Sequence, residues 1–248
     1  MLGANAWKRA VGLAGLLLLS GCAATPRVDG PAAERPAVSP DAPQGWWTAR
    51  YRMPFAADGE PRWSTDLILA DRVVAPALVA HRADIALWRV HRRAAADATG
   101  HQFSFAFYAA PEVARQVFAD LQASCTLRAL ADAGVVREQE YSDTTRLDRP
   151  GIADTSDRSW SPALQVNWPF FIMGVSDLWL GLVTAHAAAG DPPGPCASVR
   201  ALQAHYDGVS RAVEGVWEGE GGHALLHHLS GVFAYRSVAV HETRLMTF

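Results

Sequence analysis

The stretch His101 to Tyr108 constrains the fold more than any other part of the chain. Phe103, Phe105 and Phe107 fall on one side of an extended backbone, and Gln102 and Ser104 fall on the other. A helix turns 100° per residue and cannot stack rings at a spacing of two on one face. The segment is therefore a strand with one apolar side set against a core. Ile85 to Arg93 precedes it across a polar turn, Ala94 to Gly100, and the two runs together read as a hairpin.

The residues around this hairpin supply its partners. Trp46 to Phe55 reads as a first strand, closed by the Asp58-Gly59 turn. Ser64-Thr65-Asp66 before Leu67, Ile68, Val73 and Val74 resembles a capped helix start, and Pro76 should kink or divide that helix. Pro111 and Glu112 open a helix that carries Val113, Val117, Leu121 and Leu130 and ends near Gly134. Val135 to Tyr141 should be a strand. Strand, helix, hairpin, helix, strand is an α+β arrangement with an antiparallel sheet, here over residues 46–142. Ser142 to Ser161 is polar, holds Pro150-Gly151, and reads as a long loop. Helices follow over 161–248: Phe170 to Ala188, Ala197 to Val216 and Gly222 to Phe233, the first two separated by Asp191-Pro192-Pro193-Gly194-Pro195. Tyr235 to His241 can return as a strand. No internal repeat is visible, and 46–248 reads as a single domain.

The N-terminus has the parts of an export signal. Lys8 and Arg9 provide the positive region and Ala10 to Leu19 the apolar region. That run is about half of the roughly 20 residues needed to cross a bilayer. Leu19-Ser20-Gly21-Cys22 then resembles the lipobox of bacterial lipoproteins without departure. The resemblance covers the first 22 residues. It implies that residues 1–21 are a signal peptide, that Cys22 carries a diacylglyceryl group and an acylated amine, and that the partner is a membrane reached through this anchor. Ala23 rather than Asp after the cysteine implies the outer membrane. Each buried CH₂ contributes about 0.8 kcal/mol, so three chains on one residue hold effectively permanently. Residues 22–45 are then a lipidated cysteine and a linker, with Pro26, Pro31, Pro36, Pro40 and Pro43 among alanines. The linker spans about 25 Å if coiled and about 65 Å as extended polyproline II.

Charge and cysteines narrow the function classes. The formal charge is −3, and removal of the first 21 residues takes Lys8 and Arg9 and no acid. A mildly acidic domain lacks the basic face that a nucleic-acid partner requires. After lipidation Cys125 and Cys196 remain, in an oxidising compartment. They are either a disulfide or two separately buried thiols, and their spacing is not that of a C-x-x-C redox motif.

Three stretches hold candidate sites. His223 and His227 stand one helical turn apart, the spacing two imidazoles need to share a divalent metal, with Glu220 or Glu218 to lend a carboxylate; the same pattern also reads as an amphipathic helix whose histidines cap or hydrogen-bond. Ala224 occupies the place of the general base of H-E-x-x-H, and a regular helix cannot turn both His227 and His228 toward one ion. In the hairpin, alternation places Arg89, His91 and Arg93 on one face, which can hold a carboxylate or phosphate or can be a solvated surface, and His101 begins the opposing arm. The segment Asn167 to Leu180 is apolar almost all round. It reads as a central core helix with Asp177 as a buried, paired acid, or as a helix that grips lipid. There is no G-x-S-x-G, because Leu229-Ser230-Gly231 lacks the flank, and no glycine-rich phosphate loop follows a strand. The expectation is an envelope lipoprotein that binds an envelope partner or a small ligand without catalysis. The alternatives are a metal-dependent role for His223 and His227 and the handling of lipid.

Overall fold

The computed structural model describes residues 42–95 and 97–237. The signal segment, Cys22 and most of the linker lie outside them. The fold is α+β, built on one four-stranded antiparallel sheet. Strands β1 (Gly45–Met53), β2 (Leu87–Arg93), β3 (His101–Ala109) and β4 (Glu138–Tyr141) lie in the order β2-β3-β1-β4.

The register follows from the alternation of aromatic residues. Trp47 and Trp88 both pair with Phe107, and Ala49 and Val90 both pair with Phe105, so the large side chains of three strands share one face. Trp47, Tyr51, Trp88 and all three phenylalanines are buried there. The Phe105 and Phe107 rings stack at 5.1 Å, and Phe118 meets Phe107 edge-on at 5.6 Å. Each buried ring contributes roughly 1.5–3 kcal/mol.

Helices α1 (Trp63–Leu69), α2 (Ala75–His81), α3 (Pro111–Ala123) and α4 (Cys125–Asp132) belong to the same core as this face. Helix α1 passes into α2 through a wide π turn, Ala70–Val74, directly before Pro76. The wider turn accommodates the missing proline N–H, so the chain is neither divided nor stopped there. Ser64-Thr65-Asp66 does not cap: the position before α1 is Arg62, without a side-chain cap bond, and the three residues are buried inside the first turn. Asp66 is completely buried and receives Arg92 Nε at 2.8 Å, while His101 Nε2 lies 3.0 Å from its other oxygen. The Arg92 guanidinium sits over the rings of Trp63 and Trp179 at 4.9 and 5.1 Å.

The expected helix from Pro111 to Gly134 is two helices. Ser124 turns extended, and its hydroxyl accepts the Leu127 amide at 3.3 Å, which starts α4. At the far end Gly134 has φ +69°, and the amides of Val135 and Val136 both return to the Leu130 carbonyl. Those amides are spent on the helix end, so β4 starts at Glu138 and not at Val135.

Two long helices complete the domain. Helix α5 (Pro162–Ala187) starts eight residues before Phe170, capped by Ser161, with Pro162 in its first turn. It runs along the open edge of β2, where the Ser176 hydroxyl accepts the outward Val90 amide at 3.2 Å. Helix α6 (Val199–Gly221) continues without a break through a π turn, Gly222–His227, into α7 (His228–Val232). Asp71 accepts from Thr184 of α5 at 2.9 Å and from Tyr206 of α6, which locks both helices to the π turn of the first. Cys125 and Cys196 are bonded, with Cα atoms 5.7 Å apart, and join α4 to the segment before α6. The core, its polar ties and this bridge close within residues 42–237.

Helix α5 is not a central core helix. Its buried residues are Pro169, Ser176, Leu180, Val183 and Ala187, while Phe170, Phe171, Val175 and Leu178 are exposed. Asp177 is exposed too, not a buried acid. Among the described residues its main packing partners are the β2 edge, the π turn Ala70–Val74, the loop before α5 and α6, and the side with Phe170, Phe171, Val175 and Leu178 is exposed. At the chain end Tyr235 to Ser237 are not a strand, and the rest of that expected strand lies outside the described residues.

Candidate functional site

The second face of the sheet carries the charge. Alternation that buries Trp47, Ala49 and Tyr51 turns Thr48, Arg50 and Arg52 of β1 the other way. On β3 the same face shows Gln102, Ser104 and Ala106, and on β2 it shows Arg89, His91 and Arg93. Three rows result: Arg52–Gln102–Arg93, Arg50–Ser104–His91 and Thr48–Ala106–Arg89. The small Ser104 and Ala106 in the middle leave a depression between the long flanking side chains.

The loop after β4 returns over this depression. The Trp46 amide donates to the Arg149 carbonyl at 2.9 Å, the Trp46 indole to the Ile152 carbonyl at 2.9 Å, and the Tyr108 hydroxyl to the Pro150 carbonyl at 2.7 Å. The approach is so close that a Cβ on Gly45 would lie 2.4 Å from Leu147 Cδ1 and 2.8 Å from the Arg149 carbonyl oxygen. Arg149 then reaches back under the loop and donates to Thr48 Oγ1 at 2.9 Å. The result is a pocket of about 160 Å³, floored by Ser104 and Ala106 and walled by Arg50, Arg89, Arg149, His91 and Thr155.

The charges around the pocket are not balanced. Arg50 pairs with Glu140 at 2.7 Å, and Arg52 with Glu138 at 2.9 Å, both partly exposed and so weakly bound. Arg93 turns to Asp97 in the hairpin turn and to the Gly100 carbonyl, and it holds the Asp97 carboxyl well below its usual range. Arg89 and Arg149, by contrast, have no carboxylate within ion-pairing distance among the described residues. Burial lowers the pKa of both, and Arg149 adds to the effect on Arg89. Both remain charged, because an arginine starts so far above neutrality. The Arg89 Nε is buried with no hydrogen-bond partner, and so is the Thr155 hydroxyl on the same pocket wall. His91 is pushed down by burial and then by Arg89 and Arg93, which keeps it neutral at neutral pH. Chemically this is a receptor for a small anion. Guanidiniums offer forked donors to a carboxylate or phosphate, and the hydroxyls and the Gln102 amide complete a polar lining.

Of the three residues expected to bind an anion, Arg89 and His91 line the pocket and Arg93 does not. Its neighbour in the turn, Asp97, sits four residues on and claims it. Arg50 and Arg149 were not foreseen. Arg50 alternates with Thr48 and Arg52 and was legible as a residue of the open face, whereas nothing local marks Arg149. His101 faces the core and belongs to Asp66, not to this site.

The histidines at the other end of the molecule form a different group. His223, His227 and His228 have ring centroids 5.2–5.4 Å apart, because the π turn brings both the fourth and the fifth following residue to one side. The rule that His227 and His228 cannot share a side holds for a regular helix and not here. Glu220 lies on the wall of an apolar groove between α5 and α6. Among the described residues no set of three or more His, Cys, Asp or Glu is arranged to hold a metal ion. Of the four main cavities among the described residues, the one lined by Arg89 is lined by neither Asp177 nor His223 nor His227. Comparisons with protein families, curated proteins and solved structures find no match to this chain.

Proposed function

We propose that this protein is an envelope lipoprotein, held at the outer membrane through Cys22, whose domain binds a small carboxylate- or phosphate-bearing ligand without transforming it. The observation that carries the binding half is Arg89. A half-buried guanidinium whose buried Nε is unpartnered, beside a second arginine without an ion pair, is costly and is stabilised by an anion. Ser104 stands across from His91 in the sheet but accepts from the Gln102 amide at 2.9 Å, and among the described residues no hydrogen bond links it to His91, which favours binding over catalysis. The membrane half rests on the lipobox resemblance at Leu19-Ser20-Gly21-Cys22.

Calorimetric titration with inorganic phosphate and with succinate tests the pocket. One or both should bind with one-to-one stoichiometry, Arg89→Gln and Arg149→Gln should each abolish the heat, and Arg93→Gln should keep it. Equal heats in parent and Arg89→Gln, or none with either probe, would refute the reading. Labelled fatty acid should be incorporated by the wild-type chain in cells and not by Cys22→Ala.

A further inference from the structure

We propose that the domain lies on the bilayer surface through one continuous apolar ridge, formed by the outer side of α5, the α5–α6 groove and the turns through α7. On α5, Phe170 is 52% exposed, with Phe171, Val175 and Leu178 beside it. Val175 and Leu178 also line a groove of about 300 Å³, whose opposite wall includes Trp217 and Leu225. Beyond Leu225 the ridge continues through Leu226 and Leu229 to Val232, 80% exposed, and Phe233. Exposed apolar surfaces of this extent mark a contact site in a folded domain.

Three observations select lipid as the occupant. First, the stretch from Cys22 leads directly into β1 at the described start of the domain, while residues 238–248, outside the described residues, follow the far end of the ridge. About 20 residues between Cys22 and Ala42 hold the domain within about 25–65 Å of a bilayer, so the ridge meets lipid at high effective concentration. This tether is the part that rests on the lipoprotein reading; the ridge does not. Second, the ridge carries three acids, Asp177, Glu218 and Glu220, against Arg236 and the exposed His223, His227 and His228 near its α7 end. With one arginine against three acids, attraction to anionic lipid does not drive the contact, which is apolar, at the headgroup boundary of a neutral surface. Third, depth is limited. Helix α5 is 26 residues long and apolar enough to cross a membrane by composition. Yet Ser176 is tied to Val90 of the sheet edge, Leu180 and Val183 are packed in the core, and Asp177 stands on the exposed side. Spanning would strip those contacts, whereas resting on the surface keeps them. Trp217 and Tyr235 border the strip, where amphipathic rings suit the headgroup level.

Flotation of the chain from Ala23 onward, which holds the whole described core and no lipid, with phosphatidylcholine vesicles tests this. The protein should float, and high salt or added phosphatidylglycerol should not increase the bound fraction. Phe170→Ser/Phe171→Ser and Val232→Ser/Phe233→Ser, all at exposed positions, should each weaken partitioning by about tenfold, and Arg89→Gln should float as the parent does. A parent that does not float, variants that float equally, or a solution dimer dispersed by the same substitutions would overturn the proposal, the last by assigning the ridge to a second copy. If instead the wild-type chain takes up no labelled fatty acid while the lipid-free chain still floats, the tether fails and the ridge stands.

Discussion

Arg89 on β2 and Arg149 on the loop after β4 face the same small pocket, and no described carboxylate pairs with either. Arg149 disfavours the charge on Arg89, and Arg149 is itself opposed by Arg50 and supported by the charges of Asp154 and Asp148. A protein retains such a pair where a counter-charge arrives from outside, and the buried, unpartnered Arg89 Nε points to the same conclusion.

This relationship predicts different effects of one substitution on stability and on binding. Arg149→Gln should leave the thermal midpoint of the ligand-free protein unchanged or slightly raised, because the loss of a like charge beside Arg89 offsets the lost Thr48 hydrogen bond. The same change should abolish the stabilisation by added phosphate or succinate that the parent shows. Thermal melts with and without the anion measure both.

Binding should also depend on pH through His91. Its folded pKa is below the unfolded value of 6.5 because burial, Arg89 and Arg93 all disfavour the imidazolium. The unfolded chain therefore takes up the proton first, and His91 costs stability as pH falls below about 6.5. A bound anion offsets the arginine charges and raises the His91 pKa. Affinity should accordingly increase as pH is lowered through this range, and His91→Gln should flatten the profile. Titrations at several pH values decide it.

Gly45 should act on the pocket from outside it. Gly45→Ala places a methyl against Leu147 and the Arg149 carbonyl, so the loop must move away from β1. The expected result is an anion affinity lower by about tenfold, with a stability loss of roughly 1–3 kcal/mol. Urea unfolding and calorimetry on the same variant separate the two.

The largest stability effect should come from Asp66. Arg92 and His101 both converge on this fully buried carboxylate, and removal of it strands a cation stacked between two tryptophans. Asp66→Ala should lose about 3–5 kcal/mol in urea unfolding without direct loss of any pocket group.

The two faces of β3 were legible in residues 101–108, the antiparallel hairpin in 85–108, and the α+β class in the order of segments over 46–142. A period of two is a local property of the backbone and needs no knowledge of neighbours. Arg89 and His91 followed from the same periodicity. Arg93 was lost to Asp97, a contact settled by turn geometry, and Arg149 was invisible because a loop has no period to read. Ser64-Thr65-Asp66 misled for a related reason. A capping pattern and a buried ion partner share the same residue types, and only Arg92 and His101, from distant strands, distinguish them.

Helix α5 marks the boundary most clearly. That α5 is helical and apolar from Phe170 onward was legible, while its first eight residues from Pro162 were not, and no polar stripe says which side faces inward. How many neighbours cover it is a question of tertiary packing. The sheet edge and α6 together seal one side, and the side with Phe170, Phe171 and Leu178 is left uncovered. Local sequence determines what a segment is, because it sets backbone preference and apolar content. The convergence of Arg89 with Arg149, and the exposure of the α5 ridge, depend on contacts between residues far apart in the chain, and those exist only once the domain has folded.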